Sequence, residues 1–289
     1  MIVKLKSNAK INLGLNIVGK AKNGYHLLDM VMVPISLSDE LEINFKEIKG
    51  KLKIETNIKE IPTGKENIIF KIYNEFYKET KFEKQMIEVY LKKYIPSQAG
   101  LGGGSSNGAF FFNALNKYYG NPITLQRAVE ITKKIGSDIP FFLLNKSTRI
   151  KGIGENLEVI ENNIKNKIIL IKPDFGISTI MAYRNYSKLK NKKNANVDKI
   201  IERVKSGYIN DIENYLENHL EQGLLLENKN IIKFKKYLEK IERDQKIKFN
   251  MSGSGSCYYA FIKTNNIDVV YNKIKTTMEG CRVEICSLL

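Results

Sequence analysis

The chain is poor in the residues that cross-link or metallate small folds. Its three cysteines, Cys257, Cys281 and Cys286, form no Cys-x-x-Cys pair and cannot all bond to one another. A reduced, cytoplasmic chain is the expectation that follows. Two histidines, His26 and His219, do not give the ligand spacing of a structural zinc site. No run of about 18 apolar residues occurs, so no transmembrane helix and no membrane partner are expected. The opening Met1-Ile2-Val3-Lys4-Leu5-Lys6 returns to charge too early for the apolar core of a signal peptide. Arginine is scarce: six of the 47 basic residues, which leaves 41 lysines. Base readout and bidentate phosphate grip favour arginine, and this counts against a nucleic-acid partner.

What is present suits a folded globular chain. Of 289 residues, 43% are hydrophobic and 27% charged. At roughly 150 residues per domain the length suggests about two domains. The net charge of +16 is spread along the whole chain beside abundant Asn and Ile, and reads as a compositional bias carried on a solvated surface. The same excess would attract a small polyanionic ligand.

Hydrophobic periodicity mixes strands and helices through both halves, which makes the class α+β. Strands are predicted at 9–18, 41–45, 51–56, 86–92, 168–171, 257–262 and 281–286. Helices are predicted at 67–79, 106–118, 125–135, 198–206, 209–223, 229–242 and 267–278, with Asn67 and Thr124 as caps and Gly136 as a stop. In the first strand Ile11, Leu13, Leu15 and Ile17 take one face, and Lys10, Asn12, Gly14 and Asn16 make the other unusually polar. Asn23-Gly24 marks a tight turn, and the Lys- and Asn-rich 185–199 stretch reads as an exposed loop. The boundary falls between 155 and 165, which divides the chain into 1–160 and 161–289.

The strongest chemical signal is Pro96-Ser97-Gln98-Ala99-Gly100-Leu101-Gly102-Gly103-Gly104-Ser105-Ser106, set between a predicted strand and a predicted helix. Glycines let backbone N–H groups approach an anion, and a helix start adds unpaired N–H groups and a positive dipole end. The combination is a polyphosphate cradle. It is not a Walker loop, since no Lys follows the glycines, and it lacks the third glycine of a dinucleotide fingerprint. Asp174-Phe175-Gly176 spells the metal motif of protein kinases, but no His-Arg-Asp precedes it, and it reads as a turn after a strand.

Gly100 to Ser106 resembles the phosphate loop of the galactokinase–homoserine kinase–mevalonate kinase (GHMP) superfamily. Three further segments resemble the 4-diphosphocytidyl-2-C-methyl-D-erythritol kinase family within it: Ser7-Asn8-Ala9-Lys10-Ile11-Asn12-Leu13-Gly14-Leu15, Gly24-Tyr25-His26, and Gly136-Ser137-Asp138-Ile139-Pro140-Phe141-Phe142. Ser252-Gly253-Ser254-Gly255-Ser256-Cys257 resembles the superfamily's carboxy-terminal glycine loop. These segments lie in order and span nearly the whole chain.

The resemblance implies a GHMP kinase fold: an N-terminal ribosomal-protein-S5-domain-2-like domain that binds ATP, then a C-terminal ferredoxin-like α/β domain, with the site between them. It implies transfer of the ATP γ-phosphoryl to a tertiary alcohol of a cytidine-diphosphate-linked methylerythritol, with Mg²⁺, in a cytoplasmic monomer or weak homodimer. By position Lys10 and Asp138 are the catalytic pair. Residues 96–106 hold the nucleotide, with Ser106 a possible magnesium ligand, and Asn12, Tyr25, His26, Tyr183, Gly253, Ser254 and Gly255 face the substrate. On the residues alone Lys10 also fits a solvated edge charge, and Asp138 also fits a helix N-cap ahead of Ile139-Pro140. Another kinase of the superfamily, acting on mevalonate or homoserine, or a non-catalytic basic nucleic-acid-binding protein, are the competing readings. Gly108, where an alanine is common in the family, is expected to weaken the helix that follows the loop.

Overall fold

The computed structural model describes residues 1–22, 24–263 and 267–289. It opens with a long antiparallel pair, β1 (Ile2–Lys20) and β2 (His26–Lys49). The turn expected at Asn23-Gly24 falls partly outside the described residues; Gly24, at φ 87°, donates its N–H to Ala21 O at 2.9 Å. β2 is long enough to pair with β4 (Gln85–Lys92) at one end and β5 (Thr148–Gly152) at the other. β3 (Leu52–Thr56) lies parallel to β4, and β6 (Asn156–Val159) closes the far edge. The helices of this half are α1 (Ile68–Thr80), α2 (Gly103–Tyr118), α3 (Leu125–Thr132) and α4 (Ile139–Leu144). Asn67 caps α1 by accepting from Ile69 N–H at 2.9 Å, and Thr124 caps α3 as expected.

The second half builds an antiparallel sheet in the order β10-β7-β9-β8, from β7 (Lys167–Lys172), β8 (Asn250–Met251), β9 (Tyr258–Phe261) and β10 (Arg282–Ser287). Its helices are α5 (Thr179–Tyr186), α6 (Val197–Ser206), α7 (His219–Glu227), α8 (Lys229–Gln245) and α9 (Ile267–Thr277). The single helix expected at 209–223 is two pieces: a 3₁₀ turn at Ile212–Asn214, then α7, which starts afresh where Asn218 caps it. Among the described residues no helix is long and apolar enough to cross a membrane.

Two buried clusters hold the molecule together. One lies between the two sheets, joining Ala9, Ile11, Leu13, Val31 and Val33 to Ile168, Leu170, Tyr259 and Phe261, with Ile200 of α6 at its side. The other lies under α1, α2 and α4 and continues to α7 and α8. The register of β1 on β2 shifts at three places, between Asn8 and Ala9, Asn12 and Gly14, and Ile17 and Gly19, and the middle one breaks the alternation expected of the strand. Asn12 pairs with Met32 but Gly14 pairs with Val31, so Leu13 is the extra residue of a bulge. Past it the faces exchange. Ile11 and Leu13 enter the intersheet cluster, whereas Leu15 and Ile17 enter the other. Gly108 has a packing reason: a Cβ there would lie 2.4 Å from Ile68 Cγ2, so glycine lets α1 and α2 cross closely.

Candidate active site

A cavity of about 620 Å³ opens where the two halves meet. Residues Pro96 to Ser105 line it, together with Lys10, Asn12, Asp138, Tyr183, Gly253 and Ser254. Ser106, Tyr25, His26 and Gly255 do not. Ser106 is fully buried, one turn inside α2, and its Oγ has no hydrogen-bond partner, which corrects the expectation that it faces a metal.

The glycine loop is shaped by backbone demands. Gly100 and Gly102 sit at φ 72° and 71°, where a side chain is strained. A Cβ on Gly100 would fall 2.0 Å from Ser252 O, and one on Gly102 2.8 Å from the Phe142 ring. α2 begins at Gly103, three residues earlier than the pattern suggested, so Gly103, Gly104 and Ser105 form its first turn. Their N–H groups are those a helix leaves unpaired. The loop is pinned from three sides: Lys10 N–H donates to Leu101 O at 3.1 Å, Ile177 N–H to Gln98 O at 3.2 Å, and Cys257 N–H to Ala99 O at 3.1 Å.

Lys10 is 2% exposed and stands on β1 beneath this loop. Its ammonium donates to Asn12 Oδ1 at 2.6 Å and to Gly100 O at 2.8 Å, and lies 4.0 Å from Asp138 Oδ2. It is therefore no solvated edge charge. Burial lowers its pKa below that of a free lysine, and the Asp138 charge opposes the shift. Two of its three N–H groups are committed to the protein, which leaves one for a ligand.

Asp138 occupies the N-cap position of α4, yet its carboxylate accepts no cap bond. The reason is local. The backbone of Asp138, at φ −88° and ψ −10°, lies in the helical region rather than the extended one a capping residue uses, and Pro140 has no N–H to offer. The expected capping role is absent, and the carboxylate is left facing the cavity, where it lines the wall beside Ser137.

Tyr183, on α5, stacks on His26 with centroids 4.8 Å apart and planes 19° apart. No base fits between those two rings. Tyr25 is 65% exposed on the turn beyond. Burial lowers the His26 pKa, and Lys20 and Lys192 lower it further, so the ring is held neutral near pH 7. Burial pushes the Tyr183 phenol up to about 12.

Sequence reasoning missed a second lysine at the cavity wall. Lys93 pairs with fully buried Asp39 and donates to Asn107 Oδ1 at 3.0 Å. Asp39 Oδ1 also accepts from Tyr94 and Ile95 N–H, each at 2.7 Å, just ahead of the glycine loop. Asn107 Nδ2 reaches Asp39 Oδ2 at 2.9 Å and Ser7 Oγ at 2.7 Å. A Cβ on Gly103 would meet Lys93 Nζ at 3.1 Å. Ser178 and Thr179 also line the cavity, and Thr179 Oγ1 lies 3.2 Å from Ser254 Oγ.

Residues 67–146 match the family described as "GHMP kinases N terminal domain". A 4-diphosphocytidyl-2-C-methyl-D-erythritol kinase from Fusobacterium nucleatum is 45% identical over 287 residues, covering 99% of this chain and 97% of that one. The chain belongs to the 4-diphosphocytidyl-2-C-methyl-D-erythritol kinase family. A member of the same family from Clostridium acetobutylicum is 34% identical and covers 90% of each chain. The fold matches a crystal structure of 4-(cytidine 5'-diphospho)-2C-methyl-D-erythritol kinase with TM-score 0.79 at 24% identity, covering 99% of both chains. It also matches homoserine kinase from Cytophaga hutchinsonii, with TM-score 0.75 at 14% identity and 99% of this chain and 95% of that one covered. The architecture is that of a GHMP kinase.

Proposed function

We propose that the chain transfers the γ-phosphoryl group of ATP to the 2-hydroxyl of 4-diphosphocytidyl-2-C-methyl-D-erythritol, giving the 2-phosphate and ADP in the methylerythritol phosphate route to isoprenoids. One observation carries this reading in a member of the family: the glycine loop, Lys10 and Asp138 converge on a single cavity. The reaction takes place in the cytoplasm, with the chain acting as a monomer or a weak homodimer.

Phosphoryl transfer has a loose transition state with charge spread over oxygens, so the protein contributes position and electrostatics. The N–H groups of Gly103, Gly104 and Ser105 receive the nucleotide phosphates, favoured by the positive end of α2. The remaining N–H of Lys10 meets the transferring group. Asp138 orients the acceptor hydroxyl and takes its proton late in the transfer. Magnesium entering with ATP would supply charge neutralisation at the phosphate oxygens. The side-chain oxygens that would hold it beside the loop are those of Ser105 and Asp138, both of which line the cavity. On the acceptor side, Asn12, Gly253 and Ser254 shape the wall near Lys10. The cytosine stacks on Tyr25 and meets the edge of His26, which Tyr183 backs.

A coupled ADP-release assay on the purified chain tests the reading. ADP is expected with the cytidylyl substrate and not with mevalonate or homoserine. Comparable kcat/KM on either of the latter would reject the assigned acceptor. No ADP with any alcohol, together with duplex binding that collapses as salt rises, would point to the nucleic-acid reading.

A further inference from the structure

We propose that Asn218 is a positioning residue for the transfer, holding the glycine loop after β8 against Lys10; this rests on the kinase reading above. Asn218 precedes α7 and is buried. Its Oδ1 accepts from Leu220 N–H at 2.9 Å and from Glu221 N–H at 3.4 Å, which caps the helix. Its Nδ2 donates twice, to Met251 O and to Gly253 O, each at 2.9 Å. Both amide hydrogens are thereby used. The same junction is tied to the catalytic strand, since Leu15 N–H donates to the Glu217 carbonyl at 2.9 Å.

The choice of residue type separates two jobs. Capping needs a side-chain oxygen, which Ser or Asp supplies about as well as Asn. Gripping two carbonyls needs the amide nitrogen. What it grips stands against the reacting centre: a Cβ on Gly253 would lie 2.9 Å from Lys10 Nζ and 3.3 Å from Asn12 Oδ1. The Gly253 backbone is thus a wall on which the ammonium rests. Releasing that wall lets Lys10 drift from its line between Gly100 and Asp138, and misplacements of about 1 Å can cost about 100-fold in rate.

Asn218→Ser keeps a capping oxygen and removes both donors. Asn218→Asp keeps the oxygen and shape but turns a carboxylate toward two carbonyls. The serine variant is expected to bind a non-hydrolysable ATP analogue at one per chain, with Kd within about twofold of wild type, while kcat on the cytidylyl substrate falls about 10- to 100-fold. The aspartate variant falls at least as far. The proposal is overturned if the fully binding serine variant keeps kcat within about twofold of wild type. It is equally overturned if kcat falls only in step with the fraction of chains that bind nucleotide, or if neither variant folds, because the amide of Asn218 would then be holding the fold rather than the reacting centre. Wild-type protein that binds the analogue but leaves the cytidylyl substrate untouched would reject the kinase reading itself, and this role with it.

Discussion

Two buried lysines flank the glycine loop, and they are held in opposite ways. Lys93 is in contact with Asp39, which also takes two backbone N–H groups and an asparagine amide. That carboxylate is fully buried and fully satisfied. Lys10 has a partner 4.0 Å away, Asp138, whose side chain is 31% exposed and makes no cap bond. One centre is closed and the other is left open on the cavity side. The difference teaches that a buried ion pair is read for function by what it leaves unmade: unspent donors and a loosely held carboxylate are what a reaction can use.

The comparison can be broken most directly at the open pair. Asp138→Ala and Lys10→Met are each expected to lower kcat by at least about 10²–10⁴-fold, the usual worth of general acid–base assistance. Near-normal turnover in either folded variant would remove that pair from the mechanism. Lys10→Met should also be more stable than wild type at pH 7, by about 1 kcal/mol. The sign follows from burial. The folded ammonium has its pKa lowered from 10.5, so its cost is complete below that lowered value and vanishes above the unfolded one. Urea unfolding at pH 7 and pH 10 should show the methionine's advantage shrinking.

At the closed pair the balance reverses. Asp39→Ala leaves an unpaired ammonium in the interior, at a cost of about 3–5 kcal/mol in unfolding free energy. An Asp39→Leu/Lys93→Met double variant should cost much less than the single one. Chemical denaturation of the set measures the coupling, and a single-variant loss below about 1 kcal/mol would mean the two lysines are not held differently after all.

The smallest effect is expected outside both pairs. Tyr25→Ala should raise the KM for the cytidylyl substrate by roughly 10- to 100-fold, since base stacking is worth about 1–3 kcal/mol, and leave the KM for ATP unchanged. Equal loss for both ligands would mean that the turn supports the fold rather than the base.

Much of the site was legible because it is written in local spacing. Lys10 and Asn12 interrupt an apolar alternation, and the clustered glycines announce a backbone approach that side chains would block. Helix ends were harder. α2 starts at Gly103 despite the poor helix propensity of Gly103 and Gly104, because the loop's pins fix that turn from outside. Asp138 looked like a cap from residue type alone, which does not show that its backbone is already helical and cannot aim the carboxylate at the first turn. Asp39 and Lys93 were invisible for another reason. They lie 54 residues apart, and each looks like an ordinary surface charge beside other charges. Asn218 was hidden in the same way, since its partners lie 33 and 35 residues further on.

The extra residue at Leu13 makes the strand's length a shared setting. Upstream side chains answer to the interior between the sheets, and downstream ones to the interior beneath the helices. Removing Leu13 would restore a regular pleat with Leu15 still opposite Met30, and only the interior between the sheets would lose a side chain; removing a residue beyond it, such as Asn16, would turn Ile17 toward the wrong compartment. Neighbouring loops can grow or shrink, but this stretch tolerates changes of identity far better than changes of count.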